Sequence, residues 1–541
     1  MATASMDIHR SKIVLDGVTV RYFVAMVLCG LSSARHAFAF DWQLLPNLSM
    51  SEVFSDNLTL SNAEKQSGFV SEVSPGISVF GSSPWSSFNL NYRLQGLYNA
   101  GGRDQVDINH QLQMNGLYQA VRDTLFLQTR SSISQQNIRN TFLTTDNLSG
   151  NDGYRVESKN FSISPYWTPH FGQYASGLLR VGYEKSSFDN TGLVSGNNSL
   201  AITDSETFSR QAGLSSGSKF NIVRWNLNYS SQDQNRVDGN DVRFEQYGGD
   251  ARYYFNRKYN VFVRAGYENN DYRTASNSIN NGFYYTFGGQ WSPSQFYSLE
   301  AGYGNNKIVT VRVNPAANFN AFVTYENRDV GLNTGNVWNA HLNYILNHGS
   351  VNFSYSQETT TAQQVLAQQQ IFTDPFGNAV SNTTNQTLLA FNPNLPDLSL
   401  GNDVIISKQA NLSFNFQTGK SFYNLSLYNT QRSYEPSRAQ DDVYGASGSW
   451  NWQFQPRLDF YFRPSWQSMD GSGASRANSK RYDVALGLTR GFPINLGRPL
   501  LMNTSLEFRH INQQFDNPIV NGSIGNDYTE NRATANFAVR F

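Results

Sequence analysis

The sequence predicts an all-β fold: a transmembrane up-and-down antiparallel β-barrel of about 24 strands, within a range of roughly 22–26. Three observations predict it. Segments of about ten residues alternate apolar and polar side chains, a length that crosses a bilayer when the strand is tilted. The connections alternate between short turns and long polar loops, and aromatic residues collect near the ends of the segments. Together these features are typical of membrane barrels.

Composition excludes several other classes of protein. The chain has 541 residues, 41 basic and 41 acidic, with a net charge of zero. A nucleic-acid partner would require a basic surface, so none is expected. Aromatics make up 14% and charged residues only 15% of the chain, which argues against disorder. No apolar run approaches the ~20 residues of a membrane-spanning helix. An outer-membrane, porin-like protein of a Gram-negative cell fits this composition.

The first 39 residues are predicted to be a signal peptide. Basic residues precede a short apolar stretch, Phe23–Leu31, and Ala37–Ala39 forms an A-x-A cleavage site. A single anchoring helix is the alternative, but the apolar stretch is too short to span a bilayer. Residues 40–541 are then the barrel domain. Cys29 is the one cysteine of the chain, so the mature domain has neither a disulfide nor a thiolate metal site.

Alternation with a period of two predicts which side chains face lipid. Between Tyr259 and Tyr267, apolar Val261, Val263 and Ala265 are predicted to face lipid, and Arg264 to face the lumen. The same pattern occurs in Phe88–Tyr98, Ile108–Tyr118, Phe283–Trp291, Tyr482–Leu488 and Ala533–Phe541. The opposite face is rich in Asn, Gln, Ser and Arg throughout, which predicts a polar interior.

The connections predict which end of the barrel faces which side of the membrane. Short turns are predicted near Gly81–Pro84, Thr168–Gln173, Asn256–Lys258, Ser292–Gln295, His348–Gly349 and Gln455–Arg457. Long loops are predicted near Asp56–Gly68, Ser134–Gly153, Ser187–Asp204, Gln232–Asp241, Asp271–Asn281, Thr360–Lys408, Gln431–Asp442, Met469–Ser479 and Asn512–Asn526. The expected location is the outer membrane, with long loops extracellular and short turns periplasmic. Residues 305–335 fit this scheme least well.

Aromatic residues near the strand ends predict two interfacial girdles. Trp85, Trp167, Trp291 and Trp452 adjoin short turns. Tyr98, Tyr183, Tyr229, Tyr267, Tyr303, Tyr325 and Tyr355 end strands that run toward long loops. Amphipathic rings favour the two bilayer interfaces. The general preference of aromatic residues for strands is the alternative explanation.

Motifs that carry chemistry are weak. Gly213–Gly217 matches G-x-S-x-G, but that motif requires a turn from a strand into a helix. The mature histidines (His110, His170, His341, His348 and His510) lack the spacing of metal ligands. Asp146, Asp152, Asp238 and Asp241 lie in Gly- and Asn-rich loops without EF-hand spacing. We predict no enzyme activity, no cofactor, and no catalytic, cofactor-binding or metal site. An enzyme whose active site lies in the loops, as on some barrels, is the alternative.

Two segments are predicted to have specific roles. The loop Thr360–Lys408 carries too many apolar residues for a loop in water, so Phe372, Phe376 and Phe391 are predicted to constrict or cap the pore. A disordered surface loop is the alternative. The terminal Phe541 is predicted to be the assembly signal that the barrel-assembly machinery reads.

Four segments carry a family resemblance. They are Phe54–Leu60 (FSDNLTL), Ser74–Ile77 (SPGI), Trp291–Pro293 (WSP) and Gly335–Thr361, which ends in YSQETTT. Together they resemble the outer-membrane β-barrel proteins associated with PEP-CTERM/exosortase systems, encoded near exopolysaccharide genes. Phe54 replaces the family's usual Tyr, and residues 305–334 look like an insertion. The resemblance implies a role in exopolysaccharide export or surface assembly, and it implies no catalytic residue.

Two functions follow as hypotheses. The first is a pore or conduit associated with exopolysaccharide export or PEP-CTERM surface assembly, because a polar interior suits hydrated sugars. The second is a structural or adhesive surface protein that binds partners through its long loops. Expected partners are outer-membrane lipid, the barrel-assembly machinery, and exopolysaccharide or its export proteins. Conductance in a planar bilayer separates the two hypotheses.

Overall fold

The structure is a computed structural model. It describes residues 41–100, 105–137, 155–189, 202–237, 239–272, 281–368, 372–373, 379–380, 402–435, 437–472, 478–495, 499–516 and 527–541. The predicted signal peptide, residues 1–39, lies outside these ranges.

One antiparallel sheet of 24 long strands forms the molecule, and the two-residue segment His170–Phe171 adds a short pairing to it. The first twelve strands are β1 Asp41–Ser55, β2 Gly68–Ser83, β3 Ser86–Ala100, β4 Gln105–Val121, β5 Leu125–Asn137, β6 Arg155–Trp167, β7 Ala175–Asp189, β8 Ser205–Ser216, β9 Val223–Arg236, β10 Val242–Tyr254, β11 Tyr259–Glu268 and β12 Gly282–Ser294. The other twelve are β13 Tyr297–Gly304, β14 Asn306–Ala316, β15 Phe319–Arg328, β16 Gly335–Leu346, β17 Gly349–Thr361, β18 Val404–Thr418, β19 Ser421–Glu435, β20 Gln440–Gln455, β21 Leu458–Ser472, β22 Ser479–Asn495, β23 Pro499–Phe515 and β24 Tyr528–Arg540.

The sheet closes on itself. β1 pairs with β24, and the pairs run from Asn47 opposite Arg540 to Ser55 opposite Arg532. Every other strand pairs with its neighbours in the sequence. A closed up-and-down ring leaves no free sheet edge along the seam. The predicted fold class and the predicted strand number are therefore confirmed.

The outer face is apolar, as alternation predicts. Val261 and Val263 are 44% and 42% exposed on the outside of β11, whereas Arg264 beside them contacts acidic side chains in the lumen. Phe262, the one apolar residue that breaks the alternation, is 2% exposed on the inner face. Exposed apolar side chains on the outside of strand after strand form the surface that lipid would cover.

Short and long connections alternate except at Asn305, which alone connects β13 to β14, and several strands are longer than predicted. Strands run through parts of the loops predicted at Gln232–Asp241, Gln431–Asp442, Met469–Ser479 and Asn512–Asn526, and they end at Arg236, Glu435, Ser472 and Phe515. The reason is visible on the outer face of β8–β10. Asp233 pairs there with Arg243 at 2.8 Å and with Arg210 at 3.4 Å. These polar residues have the composition of a loop, but they lie in strands, and their charged side chains form ion pairs with side chains of neighbouring strands.

Residues 305–334 form ordinary barrel strands. They contain the hairpin β14–β15, and only Asn305 connects β13 to β14. The Asn305 side chain accepts a hydrogen bond from the Tyr285 N–H at 2.7 Å and donates one to the Phe283 carbonyl at 2.9 Å. Asn306 accepts hydrogen bonds from the backbone N–H groups that follow β15. Asn305 and Asn306 thus provide hydrogen-bond partners for backbone groups of β12 and of the residues that follow β15, which flank this short connection.

Aromatic side chains mark two belts on the outer face. At the short-turn side, Trp167 and Trp291 are exposed, and Trp450 stacks on Trp452 with ring centroids 5.9 Å apart. At the long-loop side, Tyr98, Tyr267 and Tyr303 are exposed on the outside. These positions agree with the predicted girdles and define the height of the apolar band between them.

A short helix, α1 (Ala362–Gln368), follows β17. Phe372–Thr373 pairs with Ala379–Val380 in a separate two-residue ladder. No helix in the described ranges is long and apolar enough to cross a membrane.

Candidate functional site

The inner face of the barrel is polar all the way round. Hydroxyl, amide and charged side chains point inward from nearly every strand, and many are buried against one another. Examples are Ser49, Arg93, Gln95, Gln113, Ser132, Asn160, Thr207, Asn260, Thr286, Thr310, Ser407, Ser426, Ser447, Gln467, Asp483, Ser505 and Asn536. They are hydrogen-bonded across strands: Asn260 donates to Gln290 at 2.9 Å, for instance.

Two arginines and two acids form a network on the wall at β10, β11 and β13. Arg252 contacts Asp250 at 2.9 Å and Glu300 at 2.6 Å, and Arg264 contacts the same two acids at the same distances. Both guanidinium groups also lie over the Phe262 ring, at 4.9 and 4.8 Å from its centroid. Shared charge-assisted hydrogen bonds fix these side chains to the wall.

A second set of charges lies beside the seam. Arg509 binds Asp483 at 2.8 and 2.5 Å, and Arg481 binds the same carboxylate at 3.0 Å. Arg532 binds Glu530 at 3.1 Å. All five side chains are at least nine-tenths buried. Buried charges are tolerated because each is paired and hydrogen-bonded.

The loop between β1 and β2 covers this second set. Leu60 packs on Ile511 and Tyr528, and all three are almost fully buried. The Asn57 side chain donates to the Thr529 carbonyl at 3.0 Å. Leu60 has a φ of 50°, a left-handed conformation that a leucine adopts only when its surroundings hold it there. The loop is thus packed into the barrel at its long-loop side.

Opposite walls of the barrel meet at the long-loop side. Asn402, which precedes β18, accepts hydrogen bonds from the Thr203 backbone N–H at 3.2 Å and from the Gln363 side chain at 2.9 Å. Its carbonyl also accepts a hydrogen bond from the Arg236 guanidinium. We call these four residues the clasp. Thr203 precedes β8 and Arg236 ends β9, ten and nine strands from β18, so the clasp spans the mouth.

An apolar cluster lies beside the clasp. Phe188 of β7 and Ile202 pack against Ala362 of α1, Ile405 of β18 and Tyr434 of β19. All five are less than 9% exposed. Apolar contacts that exclude water stabilise the bridge formed by the clasp hydrogen bonds. The described ends of the loop between β17 and β18 therefore help to bridge the mouth.

The predicted site residues fall in two groups. The side chains of Phe372, Phe376 and Phe391 lie outside the described residues, so their constricting role stays a prediction. Phe541 is described, and its N–H donates to the Pro46 carbonyl at 2.8 Å, which continues the seam beyond β24. Its role as an assembly signal also stays a prediction.

The structure shows where several residues of the weaker motifs lie. Ser215, of the G-x-S-x-G match, lies within β8, 2.9 Å from the Ser176 hydroxyl, and no helix follows it. His110 is on the outer face, where it hydrogen-bonds Tyr92 at 2.8 Å. His341 faces the lumen beside Phe322. Of the loop aspartates, only Asp241 is described, and it accepts a hydrogen bond from the Arg236 N–H at 3.1 Å.

Two ladders of hydrogen bonds between neighbouring strands stop before the long-loop end of the barrel, which the sequence did not predict. The β4–β5 ladder ends at Leu112 opposite Ile133, and it adjoins loops that the structure does not describe. The β16–β17 ladder ends at Ala340 opposite Tyr355. Beyond that pair, residues 335–339 remain paired with β15, and residues 356–361 remain paired with β18. We call this second parting the β16–β17 split.

A cavity of about 280 Å³ opens at the β16–β17 split. Its inner lining includes Arg264, Arg312 and Arg328, together with Glu300 and Glu326. The sequence analysis did not predict the split, because the sequence does not specify where a ladder between two neighbouring strands stops.

A closed sheet with an apolar outer face, aromatic belts and a polar inner face defines a transmembrane β-barrel. No protein-family model matches the chain, and no curated protein matches it by sequence.

Comparison with solved structures finds matches that include three outer-membrane barrels. The FrpB iron transporter of Neisseria meningitidis is 12% identical, with a TM-score of 0.42, over 91% of this chain and 81% of that one. A mutant of the ferric enterobactin receptor PfeA of Pseudomonas aeruginosa is 12% identical, with a TM-score of 0.44, over 92% and 80%. The outer membrane protein OpdK of Pseudomonas aeruginosa is 9% identical, with a TM-score of 0.31, over 92% and 99%. Identities at this level assign no substrate to this chain.

Proposed function

We propose that the chain is a conduit in the outer membrane of a Gram-negative cell, with long loops extracellular and short turns periplasmic, and that it serves exopolysaccharide export. The observation that carries the proposal is the polar inner face, which extends around the whole ring. Hydroxyl and amide groups replace the hydrogen bonds that a hydrated sugar makes to water. The resemblance to barrels of PEP-CTERM/exosortase systems supports the same pathway.

The clasp supports a second candidate function. A mouth bridged by Asn402 and by a buried apolar cluster is also what a structural or adhesive surface protein would have. Its long loops would then bind extracellular partners, and its lumen would carry nothing.

Planar-bilayer recording of the full mature chain separates the two functions. The conduit is expected to give stepwise conductance, and neutral and acidic oligosaccharides are expected to cross liposomes that contain it. Refolded protein that shows heat-modifiable barrel mobility, yet gives neither conductance nor flux, would refute the conduit and favour the structural function.

A further inference from the structure

The β16–β17 split crosses the wall of the barrel. In the register of the ladder, the next pair beyond Ala340 and Tyr355 would be Asn339 and Ser356, and the pair after that would be Trp338 and Gln357. Trp338 and Gln357 belong to the outer face, and both line the cavity together with lumen side chains such as Arg264. Residues of both faces line one cavity, so the cavity lies within the wall at the split.

One edge of the split is uncovered at Gly335. Gly335, the first residue of β16, has a φ of 85°, and a Cβ placed there would meet no atom within 4 Å. Above it, the Thr359 hydroxyl donates to the Asn333 side chain at 2.6 Å, which bridges the top of the split. The split is therefore a window with a lower sill at Ala340 and Tyr355 and an upper bar at Asn333 and Thr359.

The window lies at the height of the long-loop aromatic belt. The ladder below it has seven pairs, which at ~3.3 Å per residue and a tilt of about 40° rise roughly 18 Å. Tyr325 and Trp338, whose ring centroids are 4.7 Å apart, lie on the outer face beside the sill. Such rings occupy the headgroup level of a bilayer. The window therefore lies beside the aromatic residues of the long-loop belt.

The inner side of the window has an excess of cationic charge. Arg264 is bound to Asp250 and Glu300, and Arg328 is bound to Glu326. Arg312 lies between them on β14, exposed in the lumen, and has no carboxylate partner among the described residues. An arginine that is always charged and has free donors binds a carboxylate in a bidentate geometry.

Hydroxyl and amide groups complete the lining. Thr310 and Thr324 are hydrogen-bonded to each other at 3.0 Å, and Asn339 lies beside them on the window edge. The volume of about 280 Å³ equals roughly nine waters at ~30 Å³ each, which is room for one sugar ring and its substituents.

We infer that the β16–β17 split is a lateral portal for an acidic polysaccharide and that Arg312 binds the carboxylate of one sugar unit in it. The inference rests on the proposed conduit, and it names both its exit and its substrate class. With the mouth held by the clasp, the chain of sugars leaves the lumen sideways at the headgroup level.

The portal is tested by locking it. The mature chain has no cysteine of its own, so N339C/S356C can be closed by a disulfide or, where the edges stand further apart, by a short bis-maleimide. N343C/N352C is the matched control, because Asn343 and Asn352 are already paired in the same ladder. Efflux of labelled trigalacturonate from proteoliposomes is expected to fall at least tenfold in the locked portal variant and to stay unchanged in the locked control. A verified lock with unchanged efflux overturns the portal.

The substrate class is tested by binding, which does not depend on transport. In detergent, calorimetry with trigalacturonate is expected to give an affinity about tenfold lower for Arg312→Gln than for the wild-type chain, since one charge-assisted contact is lost. Arg463→Gln, on the inner face of β21, is the control and is expected to bind normally. Equal affinities for wild type and Arg312→Gln, or equal binding of neutral maltotriose, overturn the assignment of Arg312. Absence of conductance with normal binding would refute the conduit alone.

Discussion

The Thr203 N–H lies 3.2 Å from the Asn402 side-chain oxygen, although the two residues are 199 positions apart and adjoin strands on opposite walls. The same oxygen accepts a hydrogen bond from the Gln363 side chain. One asparagine thus holds β8 and the segment after β17 together across the mouth.

Asn402→Ala is expected to open the mouth. It removes two hydrogen bonds from Thr203 and one from Gln363, each worth about 1 kcal/mol, and so shifts the ratio of bridged to open mouths by roughly 150-fold. Single-channel recording should then show larger or more frequent openings. Asn415→Ala is the control, because Asn415 lies on β18, the strand that follows Asn402, near the short turns and takes no part in the clasp. Identical open probability in wild type and Asn402→Ala would contradict a latch at Asn402.

Deleting Gln363–Leu398 should raise conductance further. The deletion removes all of α1 except Ala362, one clasp residue and the three phenylalanines predicted to constrict the pore. Limited proteolysis provides an independent measurement, since a loop packed into the mouth is cut slowly in the intact barrel. Rapid cleavage there, with conductance unchanged afterward, would rule out a constricting loop.

Val263→Arg is expected to impair membrane insertion far more than Arg264→Val. Val263 is 42% exposed on the outer face, and an arginine near the bilayer midplane costs about 2–4 kcal/mol. Arg264→Val removes one of two arginines that share Asp250 and Glu300, and Arg252 still contacts both acids. Folding yield in liposomes measures both variants side by side. Equal yields would overturn the assignment of inner and outer faces.

Deleting Phe541 should lower outer-membrane levels while export across the inner membrane stays normal. The Phe541 N–H binds the Pro46 carbonyl, so the deletion also shortens the seam by one bond. Phe541→Tyr, which keeps both the ring and the N–H, is the matched control. Normal surface levels of the deletion variant would mean that the last residue is not a recognised signal.

The strands were predictable because the alternation of apolar and polar residues is visible within a few consecutive residues. Tyr259 to Tyr267 shows in nine residues which side faces lipid, and no distant contact alters that. The clasp could not be predicted, because nothing near Asn402 in the sequence specifies Thr203 as its partner. The β16–β17 split was hidden for the same reason. Residues 335–339 pair with β15 on one edge, and only the pairing of the whole ring shows that their other edge is unoccupied.

The seam between β1 and β24 sets the order in which the molecule can be made. Ser55 donates to Glu530 at 2.7 Å, and Asn531 donates to Asp56 at 2.7 Å, contacts that join positions 475 residues apart. Contacts of such long sequence separation form last, since the chain entropy lost in closing so large a loop must be overcome first. Until β24 is present, β1 has an open edge that can recruit a strand of another chain. The protein must therefore be kept from aggregating along its route to the membrane until its final thirteen-residue strand arrives.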